Sequence, residues 1–375
     1  VYNRGTPDIL SQKGIDVWIG PTTFSDPHTL VSGDRRIVAK YVVVCTGARA
    51  RIPDVAGLET VPYLTYDQLF DVDRLPAHLL VLGAGPLGVE QTQAFRRLGA
   101  EVTLVGPTLL PREEPETQTL VAEFLEHEGV RVLRSRATAA RRYDKQIELT
   151  AAQDVARGDL LLISTGRVPN VHGLALERAG VGYSERGIAV NRYLQTNVSH
   201  IYACGDVIGG PQFSHLAGWQ CFRAVRNALL PGRAAALPQI LPTVTFTDPE
   251  VARVGLLERE ARDRYGSSVR AHTWPLTNSD RAVCDGDVQG FIKLITRKDR
   301  LILGATIVAA RAGEMIDEIA VAMARKLTID DLAGAIHAYP TWTITLQQFA
   351  AAILIQRFGR SRSASFLRWL TRLTG

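Results

Sequence analysis

The chain has 375 residues, 46% hydrophobic and 22% charged, with a net charge of +5, which describes an ordinary soluble globular protein of two or three domains with a sizeable core. No apolar stretch approaches the ~18 residues of a membrane span, and the N-terminus has no signal-peptide character. The four cysteines, Cys45, Cys204, Cys221 and Cys284, lie far apart with no CxxC or CxxxxC spacing, so no metal site or local redox pair is expected, and a reducing cytoplasm fits best.

Residues 1 to about 54 read as a helix remnant followed by short strands around Val17-Trp18-Ile19 and Arg36-Ile37-Val38. A buried strand follows at Tyr41-Val42-Val43-Val44 and ends at Thr46-Gly47-Ala48. A buried parallel strand needs neighbours, and no complete βαβ unit precedes residue 41. Together with the opening Val1, this leads to the expectation that an N-terminal portion is missing.

The next segment carries the strongest motif. An apolar run, Leu79-Leu80-Val81-Leu82, leads into Gly83-Ala84-Gly85-Pro86-Leu87-Gly88, then a helical stretch to Leu98-Gly99 and a β-branched strand, Val102-Thr103-Leu104-Val105. In such a turn the first glycine permits the sharp bend and the second lets backbone N–H groups approach a pyrophosphate. The third lets helix and strand pack closely. The phosphate then rests on a helix N-terminus, where unpaired N–H groups favour negative charge. Strands at Val130 to Leu133 and Leu160 to Ile163 follow, the latter closing on Thr165-Gly166-Arg167. Two apolar strands that end in Thr-Gly suggest two nucleotide domains, because ligands of open α/β sheets bind at the carboxyl ends of strands.

Farther on, the stretch Thr196 to Asp206 places Asp206 at a strand's exit, just after a glycine, ahead of a helix from about Ser214 to Leu229. Such a carboxylate accepts hydrogen bonds from sugar or polyol hydroxyls, or simply caps a turn. From residue 238 to about 355 the character changes. Strands at Thr243 to Phe246, Gly290 to Leu294 and Leu303 to Val308 precede helical runs at 313–326 and 329–336, which marks an α+β domain suited to oligomerisation.

The positive charge is uneven, with arginine clusters at Arg131 to Arg142 and Arg357 to Arg372. The first reads as solvated surface, and no nucleic-acid partner is expected. In the tail, Phe366, Leu367, Trp369, Leu370 and Leu373 alternate with arginines at helical spacing. That pattern suits packing on the protein's own body or weak contact with an anionic membrane surface.

Five stretches in this order resemble the pyridine nucleotide-disulfide oxidoreductases, in particular the dihydrolipoamide dehydrogenase and mercuric reductase branch. They are Val44 to Ala48, Gly83 to Glu90, Thr165 to Asn170, Tyr202 to Asp206 and Phe246 to Gly255. The resemblance implies an α/β protein with two Rossmann-like FAD- and NAD(P)-binding domains, the FAD domain incomplete, plus a C-terminal α+β dimerisation domain. The boundaries it suggests are 1–77 for the first FAD segment and linker, 78–190 for the NAD(P) domain and 191–237 for the second FAD segment. The dimerisation domain would span 238–355 and a basic tail 356–375.

It further implies a homodimer that passes hydride from NAD(P)H to FAD and on to a disulfide or another small-molecule acceptor. In that picture Thr46, Gly47 and Asp206 border FAD, with Asp206 near the ribityl chain. Gly83, Ala84, Gly85, Pro86, Leu87, Gly88, Val89, Glu90 and Gly166 hold NAD(P)H, with Glu90 near the nicotinamide. The other implied reading is a non-catalytic nucleotide-binding and dimerisation fragment.

Departures from the family pattern are equally legible. The first GxGxxG and the CxxxxC pair are absent, so the chain as it stands is expected to bind FAD poorly. Tyr339 and Ile344 occupy the positions of the usual histidine–glutamate dyad, with His337 displaced by two residues, and no vicinal cysteine pair closes the C-terminus. No catalytic residue is therefore assigned, and lipoamide and mercury chemistry are both disfavoured. A quinone, a metal ion, an unusual disulfide or oxygen remain as acceptors. Val105 is followed by Gly106-Pro107-Thr108, without the acidic residue that receives ribose hydroxyls in NAD-specific domains, which leans towards NADPH.

Overall fold

The computed structural model describes residues 6–359. The chain divides into two compact units, one built from the segment up to Arg49 and Arg167–Pro238, the other from Ala50–Gly166 and the segment from Gln239 onward.

In the first unit, the parallel strands Val42–Val44 and Ile201–Ala203 pair with Val42 opposite Ile201 and Val44 opposite Ala203. Beside them lies an antiparallel sheet of Thr22–Asp26, Thr29–Ser32 and Arg35–Val38. Phe24, Val44, Leu176, Ile188, Ile201 and Val207 are buried together as its core. Helix Ser214–Leu229 has the bounds expected from its pattern and buries Leu216, Gln220, Ala224 and Ala228, a four-residue repeat that keeps one face inward. Val17-Trp18-Ile19, by contrast, is not a strand. Ile19 is 85% exposed, and β-branched residues without a ladder partner or a face to bury do not stay extended by propensity alone.

The second unit contains a parallel sheet in the order Leu160–Ile163, His78–Leu82, Glu101–Val105, Arg131–Leu133. Leu79, Leu80 and Val81 are fully buried, the pattern of a strand covered on both faces. Helices Pro86–Arg97 and Pro115–His127 cross over between strands, and an antiparallel meander of Ala137–Tyr143, Gln146–Ala151 and Asp154–Gly158 extends the unit. Of the first arginine cluster, Arg141 and Arg142 lie on this meander, and Arg131 opens the last strand of the parallel sheet. Arg141 and Arg157 both pair with the buried Glu148 at 2.6 and 2.8 Å, and Arg134 pairs with Glu126, so several of these charges are locally matched.

The same unit holds a five-stranded antiparallel sheet in the order Thr243–Thr245, Glu250–Gly255, Ile302–Ala309, Phe291–Arg297, Val269–Pro275. All of Ile302–Ala309 is buried, and helices Ala312–Ala324, Ile329–Gly334 and Ile344–Gly359 contribute Ile316, Ile319, Leu332, Phe349 and Ile353 to the same core. Strands and helices are interleaved, because Glu258–Tyr265 and Asp280–Asp285 fall between strands.

Two segments pack elsewhere than the sequence reading set them. Val55, Leu58 and Val61 join Leu80, Leu149 and Leu161 in one cluster, so residues 50–77 belong with the glycine-turn unit. Val171, Leu176, Val181 and Ile188 pack on Phe24 and Ile201, so 167–190 belongs with the first unit. Among the described residues, no helix is long and apolar enough to cross a membrane. The tail from residue 360 onward, with its proposed membrane-surface contact, lies outside the described residues.

Candidate functional site

The turn at Gly83–Gly88 leaves the carboxyl end of the central parallel strand, and its three glycines do different work. Gly83 has φ +116°, and a Cβ there would stand 2.6 Å from the Ser164 carbonyl carbon. A Cβ on Gly88 would fall 1.9 Å from the Gly83 carbonyl oxygen, while the Ser164 hydroxyl donates to that oxygen at 2.8 Å. Both positions are closed by packing. A Cβ on Gly85 would meet nothing within 4 Å. Gly85 is also the N-cap of Pro86–Arg97, with Pro86 in the first turn and no side chain capping it, so the leading amides are left open to an anion. Ala84 and Val89 are buried and hold this turn against the sheet.

Thr165 and Gly166 follow the neighbouring strand, where Ile163 pairs with Leu82, and this places them beside Gly83. Gly166 has φ +113° with open space around its Cα, and its carbonyl accepts from the Arg51 N–H at 2.9 Å. The half-buried Glu90 side chain accepts from the Phe246 N–H at 2.8 Å. Burial holds its carboxyl above the ordinary carboxylate value, and the Phe246 N–H opposes that shift.

A carboxyl raised in the fold contributes stability below its ordinary pKa and loses it as pH rises through the raised value. Glu90→Gln keeps an acceptor for Phe246 and is therefore expected to raise the melting temperature near neutral pH, with the gain vanishing below about pH 4. A variant that melts lower near neutrality would refute this account of Glu90.

In the first unit, Thr46 and Gly47 follow Val42–Val44, and Asp206 follows its parallel partner Ile201–Ala203, so the strand exits are adjacent. The Thr46 hydroxyl donates to the Asn170 carbonyl at 2.8 Å, and the Asn170 amide donates to the Thr46 carbonyl at 2.9 Å. Gly47 has φ +68° with nothing within 4 Å of an added Cβ. Asp206 is 12% exposed and pairs with Arg167 at 2.7 Å, a partner that sequence reasoning did not assign to it. The signal was present in Thr165-Gly166-Arg167, but the crossing from residue 167 to 206 is a tertiary contact.

The cysteines require a correction. Apart in sequence, Cys45, Cys204 and Cys221 bring their sulfurs within 4.8 Å of one another, with Cys45 and Cys204 at 3.3 Å. The cause is strand register: Cys45 and Cys204 directly follow the paired Val44 and Ala203, and helix Ser214–Leu229 supplies Cys221. The Cys204 thiol lowers Cys45 to about 7, whereas Cys204 is raised by Cys45 and by burial, and Cys221 chiefly by burial.

At the position of the family's acid–base dyad, Tyr339 is 66% exposed, and the Asp280 carboxylate raises its hydroxyl above the ordinary tyrosine value. This moves it further from neutral-pH proton transfer. Both ring nitrogens of His337 are engaged, Nε2 with Glu318 at 2.8 Å and Nδ1 with the Ala335 carbonyl at 3.0 Å. The ring braces the turn after Ile329–Gly334 against helix Ala312–Ala324, and Ile344 simply opens the last helix.

The glycine cradle, the paired strand exits and the separate five-stranded sheet define a two-nucleotide oxidoreductase architecture. The model of the pyridine nucleotide-disulphide oxidoreductase family matches residues 2–221, and that of the family's dimerisation domain matches 241–349. The chain belongs to the pyridine nucleotide-disulphide oxidoreductases, a family of enzymes that use FAD and NAD(P)H.

It is 35% identical to a mercuric reductase of Streptomyces lividans over 353 residues, covering 91% of this chain and 74% of that protein. A mercuric reductase of Bacillus cereus is 33% identical over 90% of this chain, which spans 55% of that relative's length. Among solved structures, the HOCl-induced flavoprotein disulfide reductase RclA from Escherichia coli superposes with a TM-score of 0.86 at 28% identity, covering 92% of this chain and 81% of that one. LpdA from Mycobacterium tuberculosis gives a TM-score of 0.82 at 30% identity, covering 92% and 79%.

Proposed function

We propose that the chain forms the larger part of a homodimeric, cytoplasmic flavoenzyme that oxidises NAD(P)H. Bound together, FAD and NAD(P)H supply hydride transfer from nicotinamide to flavin and onward delivery of electrons to a disulfide or another small-molecule acceptor. The observation that carries this reading is the Gly83–Gly88 cradle, closed at two glycines and open at Gly85, where a pyrophosphate would approach.

The chain's own groups have separable tasks. The open amides of helix Pro86–Arg97 seat the pyrophosphate, and Gly166 leaves room at the adjacent strand end. The half-buried Glu90 carboxyl offers an acceptor one helical turn farther along. In the first unit, Asp206 accepts hydroxyl hydrogen bonds of the flavin's sugar-alcohol chain while Arg167 holds its carboxylate in place, and Gly47 lets the backbone come close. These residues fit that part of the cofactor. The only GxGxxG turn in the sequence lies in the second unit, so the flavin pyrophosphate has no comparable glycine cradle among the described residues of the first.

For the dimer, the matched dimerisation region exposes Val321, Ile336 and Tyr339, apolar surface suited to a second copy. NADPH is read as the preferred reductant, since no carboxylate within Gly106-Pro107-Thr108 repels a 2′-phosphate.

The test is anaerobic titration of the FAD-supplemented protein with NADPH and NADH, following loss of the flavin's visible band. Bleaching by stoichiometric NADPH, and loss of flavin retention in Asp206→Ala, are the expected results. Flavin that binds but is reduced by neither nucleotide would remove the proposal.

A further inference from the structure

We propose that Cys45, Cys204 and Cys221 form a three-thiolate site for a soft monovalent cation, Cu(I). The ligands come from three elements: the exits of two paired parallel strands and one helix. At a metal–sulfur length of about 2.3 Å, the sulfurs of a planar three-coordinate site stand about 4.0 Å apart. Here the closest pair is at 3.3 Å and all three lie within 4.8 Å, so small side-chain rotations reach that spacing.

Position is enforced from behind. The Cys204 N–H donates to the Val44 carbonyl at 3.1 Å, which locks the two strand exits together. The side chain of the buried Gln220 accepts from the Gly205 N–H at 2.9 Å, which pins the helical turn carrying Cys221 to the strand end carrying Cys204. Cys204 is buried whereas Cys45 is exposed, so the cluster is desolvated on one side and has an entry path on the other.

The ligand set selects the metal. Thiolates favour soft ions, and structural zinc sites and iron–sulfur clusters take four protein ligands. Among the described residues no fourth histidine, cysteine or carboxylate joins the group. A closed-shell monovalent ion is satisfied by three sulfurs. On binding, each thiol releases its proton to solvent and three copper–sulfur bonds form, with no change in oxidation state. The site adjoins Thr46 and Asp206 but does not depend on their reading as flavin contacts, because its test needs no nucleotide.

Cu(I) is titrated anaerobically into the reduced full chain against a chromophoric Cu(I) chelator, with X-ray absorption to count ligands. One equivalent retained per chain, with three sulfurs near 2.3 Å, is expected. Cys45→Ser and Cys221→Ser should each weaken retention by more than about 100-fold, the upper range for losing a merely supporting partner. Cys284→Ser, in the other unit, should change nothing. Circular dichroism establishes that each variant is folded. Copper held by two sulfurs, retention unchanged in a folded Cys45→Ser/Cys221→Ser double variant, or a Cys45–Cys204 disulfide surviving reduction in place of binding would overturn the proposal.

Discussion

Gly85→Val is expected to weaken nucleotide binding while leaving the fold intact, and Gly88→Ala to do the reverse in order, losing the fold first. The contrast follows from what each new Cβ meets. At Gly85 there is nothing within 4 Å, and φ −77° with ψ −177° is ordinary extended backbone, so any residue is tolerated. The added branches occupy the space through which a pyrophosphate reaches the helix amides. Loss of that seat is expected to weaken NADPH by about 100-fold, or about 2.7 kcal/mol, with unfolding free energy unchanged within about 0.5 kcal/mol.

At Gly88 the Cβ would lie 1.9 Å from a backbone carbonyl that the Ser164 hydroxyl also contacts, so neither the turn nor the neighbouring strand can yield cheaply. A penalty of about 3 kcal/mol or more is expected there. Urea denaturation and NADPH fluorescence titration on both variants separate the effects. Gly85→Val with wild-type affinity would remove the turn from the nucleotide site.

The strand–turn–helix unit was legible because all its determinants are local: an apolar run, glycines at fixed offsets and a helix face within about 25 residues. Helix Ser214–Leu229 was legible for the same reason. The meander was not. Ala137–Tyr143 is rich in alanine and arginine, and its hairpins turn at Asp144 and Ala152, each with positive φ at a non-glycine residue that no turn motif announces. Val269–Pro275 also went unread, because its alternation is blurred by His272 and Trp274, both only partly buried. The cysteine group and the Arg167–Asp206 pair were beyond reach on other grounds. Each depends on which strands become neighbours, and a separation of 159 residues between Cys45 and Cys204 carries no spacing signal at all.

Lys293→Met is expected to cost about 3–5 kcal/mol, because it removes the cation that three carboxylates share. Lys293 sits on Phe291–Arg297 with a side chain only 5% exposed, and its ammonium meets Glu116 at 2.5 Å, Glu258 at 2.8 Å and Glu114 at 3.2 Å. The Glu114 side chain is 3% exposed and also accepts from the Glu258 N–H, so it has little access to water. Methionine fills similar volume but leaves three carboxylates facing one another. Glu116, 43% exposed, is screened and contributes least to the penalty.

The pH dependence fixes the mechanism. Burial opposes charge on Lys293, but Glu116, Glu258 and Glu114 together raise its pKa, so its contribution is present below the ordinary lysine value and lost as pH rises beyond it. Lys293 is the first of the groups that lower Glu258, whose contribution is present above the ordinary glutamate value and lost as pH falls through the lowered one. Wild-type stability from this cluster should therefore hold across the neutral range. In Lys293→Met, protonation of the stranded carboxylates relieves their repulsion, so the gap to wild type should be widest near neutrality and narrow towards about pH 4. Urea unfolding at both pH values checks this. A gap that stays constant would mean that lost packing of the lysine stem, and not uncompensated charge, destabilises the variant.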